Sequence, residues 1–216
     1  MMPVRRGVIL AAGEAPRAEA ARLMEDLRGE GAVLVSCDRP AEGADYVVGD
    51  GDGLSQAQKD ALGDRLSIVP EQETNDLAKA YRFLTQKIED RPLEITIFGA
   101  TGKREDHALG NIFRLTDFER EGVHVEMVTN TGRFVCVTGR RAIPVAKGAA
   151  VSVFAPEKGT KVSSAGLEWP LDGVSLDNLW SGTLNRATEN VVELEADKPV
   201  IAYVERKENG IWQEKA

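Results

Sequence analysis

The sequence contains few of the residues that build metal clusters and disulfide frameworks. Its 216 residues include two cysteines, Cys37 and Cys136, and two histidines, His107 and His124. Their wide spacing excludes a zinc site made of cysteine and histidine ligands. Each cysteine lies within an apolar run, which favours buried free thiols in a reducing compartment over a disulfide. We therefore expect a cytoplasmic protein.

Long apolar runs and an excess of positive charge are also absent. No apolar segment approaches the length needed to cross a bilayer, and no cleavage-like site follows the short apolar stretch that ends at Gly13. Acidic residues outnumber basic ones, 35 against 27, for a formal net charge of -8. An acidic surface argues against a general nucleic-acid-binding or membrane-surface protein, although it permits a local basic pocket for a phosphate ligand.

The first 131 residues alternate short apolar runs with segments of helical periodicity. The predicted strands span residues 6–11, 32–37, 46–48, 66–69, 93–98 and 123–128, and the predicted helices span residues 18–27, 76–88 and 105–119. Thr74 or Asn75 is a suitable N-cap for the second of these helices. Continuous apolar strands between helices predict an α/β N-terminal domain, residues 1–131, with a mainly parallel sheet covered on both faces.

The pattern changes after residue 131. Short strand candidates at 134–137, 142–145, 150–154, 191–194 and 199–204 are separated by turns that contain Gly, Pro or Asn, and no helix is indicated. Residues 132–216 are therefore predicted to form an all-β, sandwich-like C-terminal domain.

Acidic residues follow several strands of the predicted parallel sheet. Asp38 follows the second strand, Asp50 and Asp52 follow the third, and Asp76 opens the helix after the fourth. Ligands of such sheets bind beyond the carboxyl ends of the strands. Two carboxylates about 4 Å apart repel by on the order of 4 kcal/mol at an effective dielectric constant near 20, so a cluster of them predicts a bound cation. Mg²⁺ suits such oxygen ligands.

Simpler interpretations of these acids stay open. The Asp-Gly-Asp-Gly run at residues 50–53 can be a solvated turn, because Asp and Gly are common turn residues. Asp76 and Lys79, three residues apart on one helix, can be an exposed ion pair at the helix N-terminus.

The segment 99–107, GATGKREDH, lies between a predicted strand and a predicted helix. Two glycines precede Lys103 and Arg104, and backbone amides at a helix N-terminus together with two basic side chains favour phosphate. The spacing differs from that of a Walker A loop. The alternative is a connection that requires glycine for its geometry alone, with His107 packed or capping.

Several segments together resemble the thiamine pyrophosphokinase family. Residues 99–107 with 109–112 (LGNI) resemble its hallmark segment, and residues 49–52 and 74–80 resemble its Gly-Asp-x-Asp and Thr-Asp-x-x-Lys-Ala segments. Residues 166–171 and 182–185 resemble two segments of its C-terminal half, and all of them occur in the family's order. The sequence departs from the family at Arg39-Pro40, Gly53, Asn75, Lys103 and Leu184.

The resemblance implies transfer of a pyrophosphoryl group from ATP to the hydroxyl of thiamine, giving thiamine diphosphate and AMP. It implies a Mg²⁺ ion and a homodimer with shared active sites. The implied metal ligands are Asp50, Asp52 and Asp76, with Asp38 as a helper. The implied phosphate-binding residues are Arg104, Lys79, Lys103, Thr101 and Gly102.

Other roles implied by the resemblance are less sharply defined. Asp106 can accept the hydroxyl proton of thiamine, hold metal or orient Arg104. Trp169, Trp180, Thr183 and Asn185 are the candidates for contact with thiamine, a flat cation that suits aromatic faces. The alternative for both tryptophans is the core of the β domain.

Two other functions fit the same residues. A Mg²⁺-dependent nucleotide hydrolase would use water as the nucleophile and would release product from ATP without thiamine. A non-enzymatic nucleotide- or vitamin-binding module would have no turnover, so the substitutions Asp52→Asn and Asp76→Asn would change none.

Overall fold

The computed structural model describes residues 4–207. The chain divides into two compact units, Met1–Asn130 and Thr131–Ala216, beside the predicted domain boundary. Among the described residues, no helix has both the length and the hydrophobicity of a membrane span.

The N-terminal unit is built on a parallel sheet. Its strands are β1 (Arg5–Leu10), β2 (Val33–Cys37), β3 (Tyr46–Gly49), β4 (Leu66–Ile68), β5 (Leu93–Phe98) and β6 (Val123–Val128). Their order is β6-β5-β1-β2-β3-β4, and every neighbouring pair is parallel. This arrangement confirms the α/β fold class, since the apolar strands were predicted to be buried between helices.

The helices of this unit are α1 (Ala18–Gly29), α2 (Gln56–Leu62), α3 (Asp76–Lys87), α4 (Glu105–Phe113) and α5 (Leu115–Phe118). The predicted helix 105–119 is two helices that meet at Arg114. Helix α2 was not predicted, because it buries only Leu62 and so has no apolar stripe. A capping box between Ser55 and Gln58 marks its start instead.

Helix α3 packs against β1, β2 and β3. Its buried face includes Leu77, Ala80 and Leu84. A Cβ atom at Gly7 of β1 would lie 2.4 Å from Cδ2 of Leu84, so glycine at that position allows the helix to approach the strand closely. This packing fixes the position of the N-terminus of α3, where Asp76 lies.

The C-terminal unit is antiparallel. Its strands are β7 (Gly132–Pro144), β8 (Ala150–Phe154), β9 (Thr160–Ala165), β10 (Val174–Leu176), β11 (Gly182–Arg186) and β12 (Val191–Glu205). Strand β12 pairs with β7, β8 and β9, while β10 pairs with β9 and β11 pairs with β8. Val137, Val151, Val153, Leu194 and Val200 belong to its buried apolar cluster.

Several strand predictions for the C-terminal unit were wrong in detail. The predicted pair 134–137 and 142–145 is the single strand β7, and the pair 191–194 and 199–204 is the single strand β12, with an irregularity between Ala196 and Val200. Strands β9, β10 and β11 were not predicted, because their sequences TKVSSA, VSL and GTLNR contain few apolar residues.

Candidate functional site

The polar segments singled out in the first half of the sequence all follow parallel strands. Asp38 comes directly after β2, Asp50 directly after β3, and the loop beginning at Gly99 directly after β5. Because the carboxyl ends of parallel strands lie at one edge of a sheet, these segments share that edge. We refer to it as the carboxyl edge.

Asp38 is half-buried and has a positive φ of 55°. Its backbone N–H donates to the Val48 carbonyl at 2.8 Å, which attaches it to the end of β3. A Cβ atom at Gly49 would lie 2.9 Å from Oδ1 of Asp38, so a larger residue at position 49 would collide with this carboxylate. Oδ1 is buried and has no hydrogen-bond partner.

Electrostatic interactions connect Asp38 with the other acids of the carboxyl edge. Burial raises the pKa of Asp38, and the negative charges of Asp76 and Asp50 raise it further, while the Gly51 amide opposes the shift. The buried thiol of Cys37 feels the same field, since burial and then the charges of Asp76 and Asp38 raise its pKa. The thiol therefore stays neutral.

Asp50 is held as a carboxylate by donors on two sides. The Asp52 N–H donates to its Oδ1 at 3.0 Å and the Gln72 amide donates to its Oδ2 at 3.3 Å. These two hydrogen bonds are the main reasons that the pKa of Asp50 is lowered, and the charge of Lys79 lowers it further. The carboxylate of Asp52 lies on the same turn, in an exposed residue.

Helix α3 contributes an acid and a buried base. The Asn75 side chain caps the helix by accepting from the Ala78 N–H at 3.0 Å, so of the two predicted N-caps the structure uses Asn75. Nζ of Lys79 lies 3.3 Å from Oδ1 of Asp76, and the lysine side chain is 2% exposed. The pair is therefore not the exposed surface pair that was the simpler interpretation.

Glu71 organises the turn that leads into α3. Its carboxylate accepts from the N–H groups of Glu73 and Thr74 at 2.8 and 2.9 Å, and also from the Thr74 hydroxyl and the Arg82 guanidinium. The Thr74 hydroxyl is the largest cause that lowers the pKa of Glu71 to about 2. Neither Glu71 nor Gln72 was identified from the sequence; the available signal was an acid three residues before a threonine, between a strand end and a helix start.

The loop after β5 is fastened to the segment after β1. The Gly13 N–H donates to the Gly99 carbonyl at 2.6 Å, and the Glu14 N–H donates to the Thr101 carbonyl at 2.8 Å. Nζ of Lys103 donates to the Ala12 carbonyl at 2.7 Å, so this lysine is engaged within the protein.

Arg104 and Asp106 form a bidentate pair at the start of α4. Nε of Arg104 lies 3.1 Å from Oδ1 and Nη2 lies 2.5 Å from Oδ2 of the carboxylate. The Arg104 hydrogen bond, followed by the His107 backbone N–H, lowers the pKa of Asp106. Among the three roles considered for Asp106, this geometry favours orientation of Arg104.

In the C-terminal unit, both candidate tryptophans are exposed rather than part of the core. Trp169 is 56% and Trp180 is 68% exposed. The Thr183 hydroxyl donates to the Trp180 carbonyl at 2.8 Å. Leu184 is 86% exposed and has a positive φ of 61°.

Asn185 is buried and uses its side chain to hold Trp169. Its Nδ2 donates to the Trp169 carbonyl at 2.6 Å, and its Oδ1 accepts from the Trp169 N–H at 3.1 Å. Oδ1 also accepts from the Arg186 N–H at 2.8 Å. The amide is therefore engaged with backbone groups, and its direct effect is on the placement of Trp169.

The donor set at the carboxyl edge fits a magnesium ion that also binds a phosphate ligand. No group of three or more His, Cys, Asp or Glu side chains within residues 4–207 forms a ready metal cage. Magnesium in phosphate-transfer sites typically uses one or two protein carboxylates together with substrate phosphates. The unpartnered, buried Oδ1 of Asp38, in the field of Asp50 and Asp76, is the kind of donor that such an ion would satisfy.

Comparisons with known proteins point to one family along most of the chain. A family model described as thiamin pyrophosphokinase, catalytic domain, matches residues 31–127. A second, described as thiamin pyrophosphokinase, substrate-binding domain, matches residues 132–203. A search of curated proteins finds no match.

Solved structures of the same fold include three described as thiamine or thiamin pyrophosphokinases. The Bacillus subtilis protein is 18% identical with a TM-score of 0.73, covering 94% of this chain and 100% of its own. The Candida albicans protein is 15% identical with a TM-score of 0.74, covering 96% and 95%. The yeast protein is 13% identical with a TM-score of 0.71, covering 93% and 86%.

Proposed function

The chain belongs to the thiamin pyrophosphokinase family, an enzyme family that forms thiamine diphosphate from thiamine and ATP, and we propose which residues perform each part of this reaction. The observation that best supports these residue roles is that four charged side chains of the carboxyl edge interact with one another. The charges of Asp76 and Asp50 act on Asp38, that of Lys79 acts on Asp50, and Lys79 pairs with Asp76. With matches to both the catalytic and the substrate-binding domain, neither a nucleotide hydrolase nor a binding module is favoured.

Asp50, Asp52 and Asp76 are the proposed Mg²⁺ ligands, with Asp38 as a helper, and the ion would be held by one or two of these carboxylates together with phosphate oxygens of ATP. The ion would neutralise charge on the triphosphate of ATP and polarise the phosphorus under attack. Burial and then the charges of Asp76 and Asp50 raise the pKa of Asp38, and a nearby cation would offset both effects, which supports this assignment.

Lys79 and Arg104 are the proposed phosphate-binding side chains. Lys79 presents a buried ammonium whose hydrogen bond is to Asp76, which leaves donor capacity for a phosphate oxygen. Arg104 is oriented by Asp106 and can turn its remaining N–H groups to the nucleotide. Thr101 and Gly102 would contribute through the backbone of their loop, and Lys103 would contribute charge.

The transfer forms one bond to phosphorus and breaks another. The hydroxyl oxygen of thiamine forms a bond to the β-phosphorus, the bond between that phosphorus and the oxygen bridging to the α-phosphate breaks, and AMP leaves. The hydroxyl proton is lost to a base. Positioning and charge neutralisation supply most of the rate enhancement in such reactions.

Thiamine would bind against exposed aromatic faces of the C-terminal unit. The exposed rings of Trp169 and Trp180 suit a flat cation, and Thr183 lies beside Trp180. We propose a homodimer with shared active sites, supported by the family resemblance and by these exposed apolar side chains. Sedimentation at micromolar concentration tests the dimer, and a monomeric mass would contradict it.

The cytoplasm is the proposed location. It supplies ATP, and its reducing conditions suit the buried free thiols of Cys37 and Cys136.

One product analysis tests the reaction. The protein is incubated with thiamine, ATP and Mg²⁺, and the masses of the products are measured by mass spectrometry. We expect thiamine to gain two phosphates in one step, with one AMP for each thiamine diphosphate. ADP as the co-product, or rapid AMP release without thiamine, would contradict the proposal.

A further inference from the structure

A chain of side-chain hydrogen bonds joins α3 to the loop after β5. Nδ2 of Asn75 donates to Oδ1 of Asn111 at 2.8 Å, and Nδ2 of Asn111 donates to the Ala100 carbonyl at 2.8 Å. Oδ1 of Asn75 accepts from the Ala78 N–H at 3.0 Å. Each amide therefore acts as both donor and acceptor, and only one orientation of each satisfies all three contacts.

The two ends of this chain carry different parts of the proposed site. Asn75 directly precedes Asp76, and its carbonyl accepts from the Lys79 N–H at 3.1 Å. Ala100 belongs to the loop that leads to Arg104, and Asn111 lies on α4, the helix that begins directly after Arg104. The bridge therefore connects the segment that carries the acid and the buried lysine to the segment that carries the phosphate-binding arginine.

The residue types are more specific than helix capping requires. A serine or threonine oxygen at position 75 would also cap α3, but neither side chain is long enough to donate to residue 111 as Asn75 does. At position 111, a carboxylate would accept from Asn75 but would have no donor for the Ala100 carbonyl.

We infer that Asn111 is a positioning residue for pyrophosphoryl transfer, which sets the distance between the α3 groups and Arg104 through its bridge between Asn75 and Ala100. This inference rests on the proposed function. It assigns Asn111 no contact with substrate; the residue acts through the segments that it joins.

Three matched substitutions test the inference in the full-length protein. Asn75→Ser keeps an oxygen cap on α3 but breaks the bridge, and Asn111→Ser breaks it from the other side. Asn190→Ser is the control, because Asn190 also accepts from a backbone N–H, that of Lys147, but lies in the C-terminal unit outside the bridge. The double variant Asn75→Ser/Asn111→Ser completes a cycle.

Two measurements are made on each variant: steady-state kinetics and hydrogen–deuterium exchange of the 99–104 segment. We expect each bridge variant to lose roughly tenfold in kcat with the KM for thiamine unchanged, and the double variant to lose no more than the larger single loss. Exchange in the 99–104 segment should rise in Asn75→Ser, although residue 75 is on another element. Asn190→Ser should change neither quantity.

Multiplicative losses in the double variant, or unchanged exchange of the 99–104 segment in Asn75→Ser, would overturn the inference. Failure of the proposed function is a separate result, namely wild-type protein that releases no AMP in response to thiamine. The exchange measurement needs no turnover, so it still decides whether the bridge holds the loop.

Discussion

The ammonium of Lys79 lies 3.3 Å from Oδ1 of Asp76, yet 2% of the lysine side chain is exposed against 38% of the aspartate. The pair is thus asymmetric: the cation is withdrawn from water while the anion remains partly solvated. Withdrawing a charge from water costs free energy that a single hydrogen bond to Asp76 offsets only in part. Such an arrangement suits a cation that is kept ready for a second anion.

Lys79→Met is the first prediction, because methionine fills similar volume without the charge. We expect kcat/KM for ATP to fall by at least about 100-fold, since a buried donor to developing phosphate charge is lost. Thermal stability should fall as well, because the Asp76 carboxylate and the neighbouring Asp50 lose the cation that offsets their charge. Lys87→Met, at an exposed position of the same helix, is the control and should retain activity. A clear loss of stability with activity retained would show that Lys79 serves the fold alone.

Asp38→Asn should make the ligand-free protein more stable. Burial and the charges of Asp76 and Asp50 raise the pKa of Asp38 in the folded state, so its ionisation opposes folding at neutral pH. Asparagine also tolerates the positive φ of 55° at this position. We expect a higher melting temperature at pH 7, a smaller difference as the pH falls through the ordinary carboxyl range, and loss of Mg²⁺-dependent activity.

Asp172→Asn, a change at an exposed aspartate of the C-terminal unit, controls for charge removal in general. A lower melting temperature for Asp38→Asn than for wild type at pH 7 would contradict the proposed repulsion.

The effect of Glu71 on stability depends on pH in the opposite direction to that of Asp38. Its pKa is lowered from 4.5 to about 2, chiefly by the Thr74 hydroxyl and amide, so its stabilising effect is present above the ordinary value and is lost as the pH falls towards 2. We expect Glu71→Gln to melt at a lower temperature than wild type at pH 7 and at nearly the same temperature near pH 2. Glu73→Gln, in the same turn, is the charge-matched control. A difference in melting temperature between wild type and Glu71→Gln that stays constant with pH would refute the assignment.

The parts of the site that could be predicted depend on regular geometry. Asp38 and Asp50 follow buried parallel strands, and the register of such a sheet brings strand ends to one edge whatever the loops do. The three-residue spacing of Asp76 and Lys79 on one helix predicts that their side chains lie close together. The burial of Lys79 could not be predicted in this way, since it depends on how α3 packs on the sheet.

The parts that could not be predicted depend on contacts between distant residues. Asn75 and Asn111 are 36 positions apart, and nothing local indicates that their amides meet. In the same way, nothing local indicates that the Asn185 side chain meets the backbone of Trp169, 16 positions away. Strands β9 to β11 were missed because pairing with neighbouring strands, rather than local composition, makes them strands.

Trp169→Ala and Asn185→Ala should affect thiamine binding by different routes. Trp169 is 56% exposed, so its removal should raise the KM for thiamine with little change in stability. Loss of the buried Asn185 amide leaves the Trp169 N–H and carbonyl without their partners, which should cost about 1–3 kcal/mol in stability as well as raising the KM. The KM for ATP is the internal control, and thermal unfolding separates the two variants. Unchanged thiamine kinetics in Trp169→Ala would remove this ring from the site.

The bidentate pair of Arg104 and Asp106 separates two of the roles considered for the aspartate. If Asp106 orients Arg104, then Arg104→Lys, which keeps the charge but loses the fork, should be nearly as damaging as Asp106→Asn, with kcat lowered by roughly tenfold or more in both. The acid limb of the kcat/KM profile should not move in Asp106→Asn, because the Arg104 hydrogen bond already lowers the pKa of this carboxyl below its ordinary range. If Asp106 is instead the proton acceptor, Asp106→Asn should abolish turnover while Arg104→Lys retains much of it. Kinetics of the two variants between about pH 5 and pH 8, where proteins tend to be most stable, decide between the two roles.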